Sequence, residues 1–129
     1  MKERTIKALI VEPGKHPRVI TLLNELNALQ RAVSIGAESQ GLIELFEIED
    51  GVCILCNEEG KLLGLEGNRK IGNDVIAGVF YVVGEDRRGN LISLPEVVLE
   101  GYRTRFWEPE FYTPDDIEKA MYMNFVGFW

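Results

Sequence analysis

The sequence has only two cysteines, Cys53 and Cys56, and a single histidine, His16. Two thiols in a chain of 129 residues make no disulfide framework of the kind that holds small secreted domains together, so reduced cysteines are expected. A structural zinc site wants four ligands, and the thiols with His16 fall short of that set. The run Cys53-Ile54-Leu55-Cys56 also reads as a strand, where side chains three apart point to opposite faces and work against shared redox or metal chemistry. No metal ligands and no cofactor are assigned. Basic residues are outnumbered as well: 14 Lys and Arg against 21 Asp and Glu leave a net charge of -7, which repels a polyphosphate backbone and argues against nucleic-acid binding. Dense carboxylate rows, which a mimic of DNA would need, are missing too, because basic residues punctuate the chain throughout. The apolar runs fall far short of the roughly 20 residues that cross a bilayer. Met1 to Thr5 has neither the apolar stretch nor the cleavage site of a secretory leader, so cytoplasmic residence is the expectation.

What is present is enough apolar material for a core. At 46% hydrophobic content, a chain of this size should bury roughly two-thirds of its unfolded surface, and no linker or repeat divides residues 1–129, so one domain is expected. Thr5 to Val11 reads as a first strand closed by Glu12-Pro13-Gly14, with Arg18 to Leu22 returning beside it. Asn24 is a candidate helix cap, followed by Leu26, Leu29 and Val33 at helical spacing and an end near Gly36. Leu42 to Glu49 and Val52 to Cys56 flank Asp50-Gly51 as a hairpin. Gly64 to Arg69 has no period and reads as an exposed loop. Val75 to Val83 is a nearly continuous apolar run, expected as one central strand covered on both faces. Ser93-Leu94-Pro95-Glu96 has capping-box spacing, and a terminal helix should begin at Thr113-Pro114-Asp115-Asp116. The expected fold is α+β, with a mixed, mainly antiparallel sheet of about five strands packed by one internal helix and a helical C-terminal extension over about 94–129. The apolar end, with Phe125, Phe128 and Trp129, must dock either on its own sheet or on a neighbouring subunit.

No nucleophile, base and anion-stabilising group assemble from the spacing, so no catalytic residue is assigned. Gly60-Lys61 lacks the upstream glycine and following hydroxyl residue of a phosphate-binding loop. Glu58 and Glu59 suit hydration better than magnesium. Two polar bends remain. Gly14 to Arg18 gathers Lys15, His16 and Arg18, and a solvated turn and an anion grip both fit it. Asn57, with Asn68 and Arg69, marks the other bend, where an arginine fork suits phosphate or carboxylate and ordinary capping or surface pairing is the plainer reading.

Those segments carry a family resemblance. Val11-Glu12-Pro13-Gly14-Lys15 with Pro17, Leu26-Asn27-Ala28-Leu29-Gln30, Cys56 to Leu62 continuing to Asn68-Arg69, and Ile76 to Phe80 with Val82-Val83-Gly84 resemble, in order, the family called domain of unknown function 3846. The resemblance spans roughly residues 5 to 84 and implies a phage or mobile-element setting; it supplies no catalytic residues. The expectation is a non-enzymatic accessory protein that binds and sequesters a small anionic ligand such as a nucleotide immune signal, through Lys15, His16, Arg18, Asn57, Asn68 and Arg69. The rival is a protein-interaction module that inhibits or adapts a host protein through its apolar C-terminal tail and acidic surface.

Overall fold

A computed structural model describes residues 3–126, with side chains described through Ala120. The expected docking of Phe125, Phe128 and Trp129 therefore lies outside the described residues. The fold is α+β. Its eight strands are β1 (Thr5–Val11), β2 (Arg18–Leu23), β3 (Ile43–Glu49), β4 (Val52–Asn57), β5 (Gly67–Ile71), β6 (Asp74–Ala77), β7 (Phe80–Glu85) and β8 (Leu91–Ile92). Three helices accompany them: α1 (Leu26–Ala32), α2 (Glu96–Arg105) and α3 (Pro114–Val126). The main sheet runs β2-β1-β7-β4-β3 with β8 beside β7, and β5 and β6 make a separate two-stranded sheet. Every pairing is antiparallel.

The strand alternation divides the core. Ile6, Ala8 and Ile10 of β1 face α1 with Cys53, Leu55, Tyr81 and Val83. Leu9 and Val11 face the other way with Ile54, Cys56, Phe80 and Val82, against Leu99, Tyr102 and Phe106 at α2. Because β4 and β7 are buried on both faces, neither shows the polar alternation of an edge. The tight turn between β3 and β4 holds Gly51 at φ 79°, a conformation that costs glycine nothing.

Four local expectations are corrected. The apolar run over 75–83 is two strands in different sheets: Gly78, at φ 85°, ends β6 and donates its amide to Glu66 O at 2.7 Å, so β7 alone is central. The segment over 64–69 is exposed only in its first part, since Gly67, Asn68 and Arg69 are buried in β5. Asn24 does not cap α1. Its amide donates to Glu3 O (2.8 Å) and Leu91 O (3.4 Å), tying the sheet edge, and α1 begins after Glu25 without a side-chain cap. Ser93 does not cap α2 either. β7 pairs with β1 only over Leu9 to Val11, which leaves Lys7 N open, and Ser93 Oγ accepts from it at 2.9 Å. The α3 start behaves as expected: Thr113 N donates to Asp116 Oδ2 (2.8 Å) and Asp116 N to Thr113 Oγ1 (3.1 Å), a reciprocal pair that satisfies two amides of the first turn.

Candidate functional site

The β1–β2 turn is the place where five of the six candidate residues, all but Asn57, come together. Glu12 anchors it: Lys15 Nζ lies 3.6 Å from its carboxylate and Arg18 pairs with the same group. Pro17 is buried while Lys15, His16 and Arg18 are exposed. His16 stacks on Trp107 with ring centroids 4.0 Å apart and planes 8° from parallel. Its Nδ1 is 2.7 Å from Trp107 O; a carbonyl only accepts, so Nδ1 carries the proton in this contact. Arg103 places its guanidinium 5.1 Å from the Trp107 ring centre, an arrangement favoured by the ring quadrupole.

β5 brings Arg69 beneath this turn. Its guanidinium is fully buried and spends its donors internally: Nε and Nη2 on Phe106 O (3.0 and 2.8 Å), Nη2 on Lys15 O (2.7 Å), and Nη1 on Asn68 Oδ1 (2.9 Å). Burial pulls the Arg69 pKa below its usual value, while Glu110, Glu108 and Tyr112 oppose that shift. Asn68 Nδ2 in turn donates to Val11 O (2.8 Å) and Gly78 O (2.9 Å). Both residues thus hold the turn against the small sheet and the end of α2, with their polar groups occupied by the protein itself.

Asn57 stands apart from this cluster, at the end of β4. It is buried, donating to Val33 O (3.3 Å) and accepting from Glu59 N (2.8 Å). Of the six candidates, Lys15, His16 and Arg18 face solvent together, Asn68 and Arg69 support them from inside, and Asn57 braces a different bend. Beside the turn lies a groove of about 380 Å³ lined by Glu12, Pro13, Lys15, Ile35, Gly36, the segment 63–66, Gly78 and Val79. Of the six candidates only Lys15 lines this groove, together with the segment 63–66 that precedes Asn68 and Arg69. Trp107, stacked on His16, and Arg103, over the indole, carry no motif in the sequence; the visible signal is an indole just past the end of an apolar helical face.

The cysteines lie on opposite faces of β4, Cys56 on the α2 side and Cys53 on the α1 side. Burial, aided by Glu85 and Glu47, pushes the Cys53 thiol up to about 11, and burial with Glu44 raises Cys56 to about 12. Since the thiolate is the nucleophile, neither should react with iodoacetamide at pH 8 in the folded protein, and both should react once urea unfolds it. Mass spectrometry checks this; rapid labelling of the native chain would contradict the burial. The sign for stability follows. The folded state keeps protons that an unfolded thiol releases near 9, so this contribution is whole below pH about 9 and is lost as pH rises through about 11 and 12.

Among the described residues no group of three or more His, Cys, Asp or Glu could hold a metal ion, and no helix is long and apolar enough to cross a membrane. No curated protein and no solved structure matches the chain. The family model described as Domain of unknown function (DUF3846) matches residues 6–107, which takes in the main sheet but for Thr5, the small sheet, α1 and α2, and ends at Trp107. The chain belongs to that family.

Proposed function

We propose that the chain is a non-catalytic binding protein that captures a small anionic ligand in the groove between the β1–β2 turn and the segment 63–66. In a cytoplasmic, phage or mobile-element setting this capture withholds a nucleotide signal from the host. One observation supports the reading: Lys15 of the β1–β2 turn and the segment 63–66 line a concavity of ligand size, about 380 Å³. Lys15 reaches it from an exposed turn, while Ile35, Leu63, Leu65 and Val79 supply apolar walls. Nothing in the groove provides a nucleophile beside a base, which suits retention better than turnover. Glu12 and Glu66 are the opposing charges. Glu12 already holds Lys15 and Arg18, so an incoming anion competes with it for them.

That competition sets the test. Titration calorimetry with a panel of cyclic and ADP-ribose-type nucleotides should give binding that Lys15→Glu abolishes and that Glu12→Gln tightens several-fold by releasing both cations. Absence of heat for every nucleotide, at protein concentrations of tens of micromolar, removes the proposal. The rival, an interaction module that inhibits or adapts a host protein through its apolar C-terminal tail and acidic surface, gains a further apolar feature near the groove: Leu62 is 78% exposed, Ile35 53% and Leu63 47%, with Glu58, Glu59 and Glu66 exposed as well. A host protein retained by the intact chain and lost with Leu62→Lys and Leu63→Lys favours this second reading. Loss on deletion of residues 124–129 alone assigns the contact to the tail.

A further inference from the structure

A second groove lies where α3 and the irregular segment leading into it meet the small sheet, and it shares no lining residue with the groove at the β1–β2 turn. Its volume is about 630 Å³, and it is lined by Lys70, Asn73, Val75, Phe111, Tyr112, Asp116, Lys119 and Ala120. Three features set its chemistry. Phe111 is left 78% exposed at the groove, an uncovered ring of the kind on which a flat π-system gains stacking energy. Tyr112 lines the groove beside it, its hydroxyl fixed by donation to Glu110. Lys70 and Lys119 enter from the two walls, and among the described residues neither lies within ion-pair distance of a carboxylate.

The acids nearby are already engaged. Asp116 accepts from Thr113 N at 2.8 Å, and the bonds it makes to Thr113 hold its carboxyl below the usual range. Glu110 accepts from Lys70 N at 2.9 Å and from the Tyr112 hydroxyl. Both carboxylates therefore spend lone pairs on the turns that shape the groove, while the two ammonium groups keep their N–H donors for an incoming partner, Lys119 adding only its charge to the lowering of Asp116. The amide of Asn73 adds a donor and an acceptor of the sort that reads a heteroatom edge.

We propose that this groove binds a small aromatic anion, its ring against Phe111 and Tyr112 and its phosphate or carboxylate between Lys70 and Lys119. The site is independent of the β1–β2 groove. Three of its eight lining residues, Lys70, Asn73 and Val75, fall within the family match at 6–107 and the other five lie beyond it, so the shared core alone does not complete the site.

The probe is 1-naphthyl phosphate, followed by calorimetry and by chemical-shift changes at Lys70, Asn73 and Phe111. 1-Naphthol and inorganic phosphate serve as half-ligands, and AMP as the nucleotide form of the same chemistry. The expected result is saturable binding of 1-naphthyl phosphate, at least ten-fold weaker for either half. Phe111→Ala and Lys119→Glu, both at exposed positions, should each weaken it ten-fold or more with an unchanged urea midpoint. Lys15→Glu should leave it untouched, which separates failure here from failure of the β1–β2 proposal. AMP binding with the same variant profile identifies a nucleotide as the natural type, whereas binding of the naphthyl compound alone identifies a non-nucleotide aryl anion. No saturation up to millimolar probe, or equal affinity in the parent and both variants, overturns the site.

Discussion

Replacing Arg69 with methionine is expected to cost the fold about 4 kcal/mol, the sum of three acceptors, two buried and one part-buried, losing their donor at about 1 to 2 kcal/mol each. Methionine fills similar space but donates nothing. Phe106 O, Lys15 O and Asn68 Oδ1 would then each lose a partner in a place where Arg69 itself has no exposed surface. The carbonyl of Phe106 takes two of the four bonds, and it terminates α2, so the end of that helix and the β1–β2 turn should loosen together. Arg69→Lys should recover little: an ammonium is a point donor and does not span carbonyls that the planar fork reaches at once. Urea denaturation gives the measure. With a slope of about 1.5 kcal/mol per molar for a domain of this size, the midpoint should fall by about 2.7 M. A midpoint within about 0.5 M of the parent would mean that water replaces the guanidinium, and the clasp would lose its assigned role.

The clasp also explains which parts of the molecule could be read from the residues alone. β1 and the β3–β4 hairpin were legible because their evidence is local: β-branched runs and a turn dipeptide determine a strand whatever it later pairs with. The run over 75–83 was not, since continuous burial looks the same for one long strand as for two short ones in separate layers. The only local sign of the break was Gly78. Asn68 and Arg69 looked like loop residues because polar side chains seldom have no exposed surface. What reverses that expectation is a set of backbone carbonyls from β1, the β1–β2 turn, Gly78 and the end of α2, and the sequence carries no mark of where carbonyls converge. Asn24 and Ser93 fail as caps for a related reason: each had a local use, and an open strand group elsewhere claimed its side chain.

The same distinction holds at the candidate site. That Lys15, His16 and Arg18 share a turn follows from chain proximity, and the groove beside them needed tertiary placement of Leu63 to Glu66 and Gly78. Asn57 was grouped with them on residue type, yet its bonds go to Val33 and Glu59. The aromatic and ammonium groove at α3 was invisible because Lys70 and Lys119 are separated by 49 positions, and neither belongs to a motif.

Asn68 is the second residue on which the arrangement rests, and Asn68→Ala is expected to cost about 3 kcal/mol. The amide nitrogen ties β1 to the link between β6 and β7, donating to Val11 O and Gly78 O, while its oxygen accepts from Arg69 Nη1. Alanine leaves two carbonyls without a donor, at about 1 kcal/mol or more each, and an arginine N–H without an acceptor. These losses should not be independent of those at Arg69, because the two side chains share a hydrogen bond and bury each other. In the variant carrying both Asn68→Ala and Arg69→Met, that shared bond is absent once rather than broken twice, and no charge remains to lack an acceptor. The combined cost should therefore fall short of the sum of the single costs by about 1 kcal/mol or more. A double-mutant cycle in urea measures the difference. Strict additivity, within about 0.4 kcal/mol, would show that Asn68 and Arg69 act as two separate braces, with the turn and the small sheet held by different contacts.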